Sequence, residues 1–274
     1  MSQNYRTWPI LVFLTLMSLI LFLLYFYFLL DTVTNQTPGT IWPSEFTLEH
    51  WRFLIEPIEG RQGIWRVTLN TIIFASSVTI IVVFLSSTAA YALSRLNFPF
   101  RSAFLGGILV LHAFPSVTLL IAIFIILQLL GLYDTLQGVI LVITALELPL
   151  GIWLMKGFYD TVPWESEMAA MTDGASRFRV WWQIMLPQVR PGLFALGIFA
   201  FLSGWGSYLF PLVLAPSADV QVLSVYLSSL IDSLGRTDFS LFKAVGLFYM
   251  LPVVIFYLFT QDKLMNVFGG AAKG

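Results

Sequence analysis

Long runs of apolar residues, separated by short polar segments, make up most of the 274-residue chain. A hydrocarbon core about 30 Å thick requires about 20 mainly apolar residues per helix, and runs of that length occur six times. Some runs are rich in β-branched residues, but their unbroken length favours helices, which satisfy their own backbone hydrogen bonds in lipid. We therefore predict six transmembrane helices. They cover Trp8–Leu30, Thr68–Leu93, Ala103–Leu130, Leu136–Phe158, Leu193–Ala215 and Leu241–Leu264.

The composition supports an all-α polytopic membrane protein. Hydrophobic residues make up 58% of the chain and charged residues only 11%, whereas a soluble domain has about 25% charged residues. The absence of cysteine excludes disulfides and thiolate metal sites, and two histidines are too few for a His-rich metal site. A net charge of −1 gives no reason to expect nucleic acid as a partner. We predict a single transmembrane domain over residues 1–274, without a metal.

The distribution of basic residues predicts the orientation, because cytoplasmic loops carry an excess of Lys and Arg. The first apolar run is longer than a signal-peptide core and lacks a small-x-small cleavage site after it, so we expect an uncleaved anchor. With both termini in the cytoplasm, nine basic residues lie inside and five outside. The inner ones are Arg6, Arg95, Arg101, Lys156, Arg177, Arg179, Arg190, Lys263 and Lys273; the outer ones are Arg52, Arg61, Arg66, Arg236 and Lys243.

This orientation places a polar loop, residues 159–191, in the cytoplasm between the fourth and fifth spans. Pro163 is suited to a helix start, and Glu165 and Glu167 fall in the first turn, where the helix dipole favours negative charge. Gly174 suits the end of this helix. The loop is therefore predicted to begin with a short helix that stops at Gly174.

A second short helix is predicted after it. Ser176 can cap a helix from Arg177 to about Met185, which Pro187 ends. The two helices could lie on the membrane surface, with Arg177 and Arg179 near the headgroups, or dock into a groove of a cytoplasmic partner.

Docking would suit the small and adaptable side chains of the first helix. Ala169 and Ala170 allow a close approach of backbones, and methionine adapts to its contact surface. Met168, either Met171 or Thr172, and Ala175 share a helical spacing, which predicts one apolar face.

The segment EMAAMTDGASRFRVWWQIMLPQVRP, which begins at Glu167, resembles the EAA motif of permease subunits of binding-protein-dependent ABC importers. Four other segments resemble the maltose-permease (MalG-like) branch of that family, which serves sugars. They are AAYALSRLNFPFR (Ala89–Arg101), LGLYDTLQGVIL (Leu130–Leu141), IWLMKGFYDTVP (Ile152–Pro163) and NVFGGAAKG at the end of the sequence.

The resemblance implies the six-helix fold of an ABC type I importer permease, with a coupling helix that sits in a cleft of the ATPase subunit. Met168 stands where the family usually has Glu, so a salt bridge to the ATPase would come from Glu167 or be replaced by methionine packing. The residues assigned to ATPase coupling are Glu165, Glu167, Met168, Ala169, Ala170, Met171, Asp173, Gly174, Leu186 and Pro187.

The chain contains no G-x-x-x-x-G-K-[ST] motif, so ATP and Mg are expected on a partner ATPase and the chain itself is not expected to be an enzyme. The resemblance implies a second homologous permease, two ATPase copies, an extracytoplasmic solute-binding protein and a sugar-like solute. It places the chain among lipids in the cytoplasmic (inner) membrane of a bacterium or archaeon.

Two alternatives remain open, an ABC permease for a non-sugar solute and an ion-driven secondary transporter. The second would predict an internal repeat and several intramembrane carboxylates, whereas we find one carboxylate, Glu147, and no obvious repeat.

Polar residues within the spans are candidates for the substrate path, because their burial in lipid is unfavourable. Glu147 could contact substrate, or it could pair with His112 or with a backbone N–H freed near Pro149. Pro115 is expected to kink the third span. In the fifth span Trp205, Ser207 and Tyr208 resemble a family stretch in which Asn is common at position 206, here Gly; a broken helix there could present its aromatic rings to a sugar.

The predicted outer side holds an aromatic-rich segment, Phe46–Val67. It fits an interfacial belt with tryptophan at headgroup level, and the resemblance adds contact with the solute-binding protein. The loop Pro216–Ser240 could share that role.

Overall fold

The structure is a computed structural model that describes residues 8–35, 45–58, 60–231 and 238–270, with side chains described as far as residue 261. Predictions that rest on Arg6, Arg236, Lys273, the Lys263 side chain and residues 271–274 of the terminal segment lie outside the described residues. The same holds for residues 232–237 of the loop predicted to face outward.

The described chain is almost entirely helical, as predicted. Short 3-10 helices cover Glu49–Leu54, Ser116–Leu119 and Ala218–Val220, and a π-helical turn covers Trp181–Met185. Two short strands, β1 (Thr34–Asn35) and β2 (Glu45–Phe46), pair antiparallel with Thr34 opposite Phe46. The α-helices are α1 (Trp8–Asp31), α2 (Ile64–Arg95), α3 (Arg101–Ala113), α4 (Leu120–Leu129), α5 (Leu136–Asp160), α6 (Trp164–Thr172), α7 (Arg177–Val180), α8 (Leu186–Gln188), α9 (Arg190–Gly206), α10 (Leu209–Leu214), α11 (Leu223–Ser229) and α12 (Phe239–Gly270).

The lengths and apolar character of these helices are compatible with six spans. Within the described ranges, α1, α2, α5 and the part of α12 up to Gln261 are each long and apolar enough to cross a membrane. Two bent pairs raise the number to six if each pair forms one span. Arg101–Ala113 meets Ser116–Leu129 at 89°, and Arg177–Gln188 meets Arg190–Gly206 at 78°.

The third span is broken rather than kinked. Phe114 is extended (φ −73°, ψ 132°), because a residue before proline avoids the helical region, and Pro115 has no N–H to continue the ladder. His112 lies just before the break and is exposed.

The second helix of the polar loop runs to Gln188, beyond its predicted end near Met185. In the π-helical turn the Leu186 N–H bonds to the Trp181 carbonyl, five residues back. This wider turn immediately precedes Pro187, so the helix continues for one more residue before the chain bends at Val189. The fifth span also divides, because Ser207 is extended between α9 and α10.

One compact unit consists of the described residues within 8–63 and 227–251. The side chains of α1 from Trp8 to Tyr27 are all exposed, as expected of a helix that faces lipid. The end of α1 is fastened by polar contacts: buried Asp31 pairs with Lys243, and the Trp51 indole N–H donates to the Thr32 carbonyl at 3.1 Å.

A second compact unit consists of residues 64–226 and 252–270, and its core is formed by α2, α5 and α9. Small residues allow helices to approach closely in lipid, where no hydrophobic effect drives them together. Gly204 of α9 shows this, since a Cβ there would lie 2.9 Å from the Ala75 Cα on α2. This packing fixes the ends of α2 and α5 that adjoin the polar loop. The apolar residues buried between these helices include Phe74, Val78, Val82, Val139, Ile143, Met155, Leu196 and Ala200.

Candidate coupling site

The predicted first helix of the polar loop is α6, and it ends as the sequence indicated. Glu165 and Glu167 occupy its first turn. Gly174 has φ +88°, its N–H bonds to the Met171 carbonyl at 3.1 Å, and the Ala175 N–H bonds to the Ala170 carbonyl at 3.0 Å. These paired bonds around a left-handed glycine form a Schellman motif, which turns the chain sharply away from α6.

The two sides of α6 differ in exposure. Glu165, Met168 and Ala169 face outward, with Met168 43% exposed. Ala170 and Met171 pack against the hydrophobic core. The predicted face is therefore divided: Met168 and Thr172 are exposed, whereas Met171 and Ala175 pack inward.

Glu167 lies on the inward side and is 1% exposed. Its carboxylate accepts a hydrogen bond from the Tyr91 hydroxyl at 2.7 Å and lies 3.1 Å from Nε of Arg95, whose side chain is 7% exposed. The hypothesis that Glu167 reaches out to a basic residue of an ATPase does not fit this geometry, since the carboxylate is already paired within the chain. Among the residues of α6, Glu165 is the acidic group that faces outward.

Arg95 is the centre of a larger cluster. Its Nη2 donates to the carbonyls of Tyr159, at 3.0 Å, and Val162, at 2.6 Å, and its guanidinium stacks over the Trp164 ring at 5.2 Å from the centroid. Arg95 therefore joins the end of α2, the end of α5 with the turn after it, and the start of α6. A planar guanidinium with several N–H donors suits this position, since it donates to two carbonyls while its charge pairs with the Glu167 carboxylate.

A second buried node holds the remainder of the loop. The Tyr159 hydroxyl hydrogen-bonds Ser87 of α2 at 2.8 Å and accepts from the Trp181 indole N–H at 3.1 Å. The Tyr159 ring also meets Tyr91 edge-on at 5.8 Å. The polar loop is thus attached to α2 and α5 at two points, one through Arg95 and one through Tyr159.

The other residues assigned to coupling are exposed or half-buried. Asp173 is exposed at the C-cap of α6, while Leu186 is half-buried against the core and Pro187 is half-buried. Phe178 and Trp182 point outward from the second helix. The loop therefore exposes apolar and acidic side chains on one side and is held to α2 and α5 by buried contacts on the other.

Sequence reasoning missed Tyr91 and Tyr159, and it used Arg95 only as a marker of orientation. A usable signal was present. An arginine at the very end of an apolar run is expected either to reach solvent or to find buried partners, and the loop supplied a spare carboxylate in Glu167.

The candidate substrate-path residues are not brought together as one site. Glu147 is half-buried and accepts from the Ser203 hydroxyl at 2.5 Å, so its described partner is neither His112 nor a backbone N–H near Pro149. Trp205 is 2% exposed and its ring stacks on Phe201 at 5.8 Å.

The break after Trp205 offers different chemistry. The Ser207 carbonyl accepts from the Ser224 hydroxyl at 2.6 Å, and Tyr208 is 42% exposed. The break agrees with the broken helix suggested for this segment, but of its two aromatic rings only that of Tyr208 is exposed.

A groove of about 580 Å³ lies beside the second node. It is lined almost wholly by aliphatic and aromatic side chains, among them Val83, Trp181, Trp182, Phe201 and Phe256. A sugar requires hydrogen-bonding groups around its hydroxyls, so this groove is not suited to carry one.

The segment 216–222 is held in place by polar contacts. The Asn70 amide donates to the carbonyls of Asp219 and Gln221 at 2.9 and 3.0 Å, and Arg66 pairs with Asp219 at 3.1 Å. Asp134 accepts from both the backbone N–H and the hydroxyl of Ser217. This part of the predicted outer loop is therefore ordered by α2 and by the turn before α5.

Comparison with known proteins identifies the family. Residues 82–262 match the family described as binding-protein-dependent transport system inner membrane component. The chain is 29% identical to the inner membrane ABC transporter permease protein YcjP of Escherichia coli, over the full length of both. It is 32% identical to the diacetylchitobiose uptake system permease protein NgcG of Streptomyces coelicolor, over 84% of this chain and 77% of that protein.

The fold has a close structural counterpart. A chain from the crystal structure of a bacterial ABC transporter involved in import of the acidic polysaccharide alginate superposes with a TM-score of 0.78. It covers 96% of this chain and 99% of that chain at 20% identity, which supports the fold.

The matched region contains α5, α6, α9 and both buried nodes. The described helices and the relatives place the chain in the cytoplasmic membrane as a multi-pass permease subunit that is not itself an enzyme. The chain belongs to the binding-protein-dependent transport system inner membrane component family, the permease subunits of ABC importers.

Proposed function

We propose that this chain is one permease subunit of an ATP-driven importer that moves a carbohydrate, or a related polyol or glycoside, into the cytoplasm by alternating access. The observation that carries this proposal is α6, a short helix with an outward face of Glu165, Met168 and Ala169 and an inward face anchored to α2 and α5.

In this proposal the outward face of α6 docks in a groove of a cytoplasmic ATPase. Ala169 allows close approach, and Met168 packs where a charged group would otherwise form a salt bridge. Glu165 and Asp173, both exposed, are the acids available for basic residues of that subunit. Two ATPase copies bind ATP and Mg, one under this chain and one under a second homologous permease.

A carbohydrate solute is supported by the relatives, which include a diacetylchitobiose uptake permease. An extracytoplasmic binding protein delivers the solute, as the family description implies. Within this chain, Ser207 and Tyr208 at the helix break are the groups best suited to contact a sugar. The partner permease contributes the remaining wall of the path, and lipid covers the outer faces of the spans.

The docking surface can be tested with Ala169→Arg, which places a long charged side chain where close approach is required. We expect the variant to insert normally in the membrane and to lose co-purification of the ATPase. Ala103→Arg is the matched control, since Ala103 is exposed near the start of α3 and a new arginine there can extend to the membrane surface. Equal ATPase recovery with both variants would contradict the docking assignment.

A further inference from the structure

Arg95, the last residue of α2, contacts both α6 and the end of α5, as Tyr91 one turn earlier also does. Its guanidinium holds Glu167 of α6 at 3.1 Å and the carbonyls of Tyr159 and Val162 at 3.0 and 2.6 Å. All of these bonds lie away from the outward face of α6. The cluster is therefore compatible with a docked ATPase and does not compete with it.

The Arg95 contacts add to the Tyr91 and Tyr159 hydrogen bonds that join these elements. Thr161 to Pro163 form a short turn between α5 and α6, and α6 itself has nine residues. An isolated helix of this length is not stable in water and cannot by itself transmit a displacement. Packing and the Arg95 bonds are what make α6 continuous with the spanning helices.

We propose that Arg95, paired with Glu167, is the positioning residue that makes α6 and the adjoining ends of α2 and α5 one rigid body. A displacement of α6 by the ATPase then moves the spanning helices that control access. Glu167 acts through Arg95 and does not bind the ATPase. This inference rests on the proposed function, since it assigns the path by which that function is coupled.

The link between Arg95 and Glu167 depends on the particular side chains at both positions. A lysine at position 95 would keep the charge but offer a single ammonium, which cannot pair with Glu167 and also reach both carbonyls in the same geometry. A glutamine at position 167 would still accept from the Tyr91 hydroxyl, but it would leave the buried guanidinium without its counter-charge.

The first experiment uses the whole importer in proteoliposomes with its binding protein, and it measures solute uptake per ATP hydrolysed. For Glu167→Gln we expect an assembled complex that hydrolyses ATP, with uptake per ATP lower by roughly tenfold, within the range that single changes on a coupling path produce. Arg95→Lys should give an intermediate ratio. Lys156→Gln is the matched control, because it removes the Lys156–Asp160 pair within α5 while leaving the contacts between helices in place.

A double variant, Arg95→Leu with Glu167→Leu, separates positioning from mere stability. It leaves no buried charge unpaired, so the chain should still fold and assemble. We expect its uptake per ATP to remain low, whereas a wild-type ratio in this variant would overturn the proposal. If the wild-type importer itself shows no ATP-dependent uptake, or if Ala169→Arg leaves coupling intact, the proposed function fails instead.

The change in distance between α6 and α2 on ATP addition is a second readout, which a merely stabilising role of Arg95 would leave unchanged. The chain has no cysteine, so spin labels can be placed at Thr172→Cys on α6 and Ile80→Cys on α2, both exposed positions. In the wild-type importer the distance between the labels should stay the same when ATP is added, because the two helices move together. With Glu167→Gln it should change on ATP addition, and an unchanged distance would contradict the assignment of Arg95.

Discussion

The two buried or half-buried glutamates of the described chain have different partners. Glu147 accepts one hydrogen bond from Ser203, a neutral group on the neighbouring α9. Glu167 has a charged partner, Arg95, and a hydroxyl donor, Tyr91. A carboxylate with a charged partner holds that partner in place, whereas Glu147 serves as a polar contact between two spans.

The Glu147 contact predicts a mild effect of substitution. Glu147→Gln keeps an oxygen acceptor for the Ser203 hydroxyl, and an interhelical hydrogen bond in a membrane contributes only about 0.6 kcal/mol on average. We expect solute uptake within about twofold of wild type, as this small energy implies. Transport assays at matched expression check it. A collapse of uptake would instead place Glu147 in the solute or ion path.

For single residues, the sequence showed which side chains were unusual but not which residues they contact. It marked Glu147 and His112 as candidates because each is polar within an apolar run, and Trp205 because its segment resembles a stretch of the family. It could not show that Glu147 meets Ser203, 56 positions away, or that Trp205 is buried, because both depend on how α9 packs.

Among the elements, α6 is the one whose limits matter most for the proposed function. The sequence predicted that α6 begins next to Pro163 and ends before Gly174, because proline and glycine impose local geometry regardless of the rest of the fold. The sequence did not predict that the next helix continues through Pro187. This continuation depends on a π-helical turn, which requires an extra residue per turn and leaves no clear sequence signal.

The left-handed turn at Gly174 predicts a specific sensitivity. Gly174→Pro cannot adopt φ +88°, and Gly174→Ala should be strained by about 1–2 kcal/mol. We expect both variants to insert in the membrane, with the proline variant losing either ATPase assembly or uptake per ATP. Gly157→Ala is the control, because Gly157 lies in α5 with open space around it and ordinary helical geometry. Full transport by Gly174→Pro would contradict the role of this turn.

For the whole molecule, six spans were predicted from length and apolar character alone, and the described helices are compatible with that number. The third and fifth predicted spans, however, are each interrupted, at Pro115 and at Ser207. The first break follows from proline chemistry, whereas the second follows from tertiary contacts such as Ser224 with the Ser207 carbonyl. The orientation of the termini stays a prediction from the distribution of basic residues.

Close packing of α9 on α2 predicts a difference between two glycines of the same helix. A methyl group on Gly204 would lie 2.9 Å from the Ala75 Cα, whereas one on Gly197 would have no neighbour nearer than 3.9 Å. We expect Gly204→Ala to lower the free energy of unfolding by about 1–3 kcal/mol, as overpacking does. Gly197→Ala should have little effect. Thermal unfolding of the purified protein in detergent checks both, and equal stability would contradict the close approach.

The assembly is the most direct test of the central claim, that this chain is a permease driven by a separate ATPase. The measurement is purification from the native membrane in a gentle detergent, with identification of every co-purified chain and assay of ATPase activity with a panel of sugars. We expect a second permease and an ATPase to be recovered, with hydrolysis stimulated by one sugar in the presence of its binding protein. A homogeneous single-chain particle, without ATPase in several mild detergents, would contradict the claim.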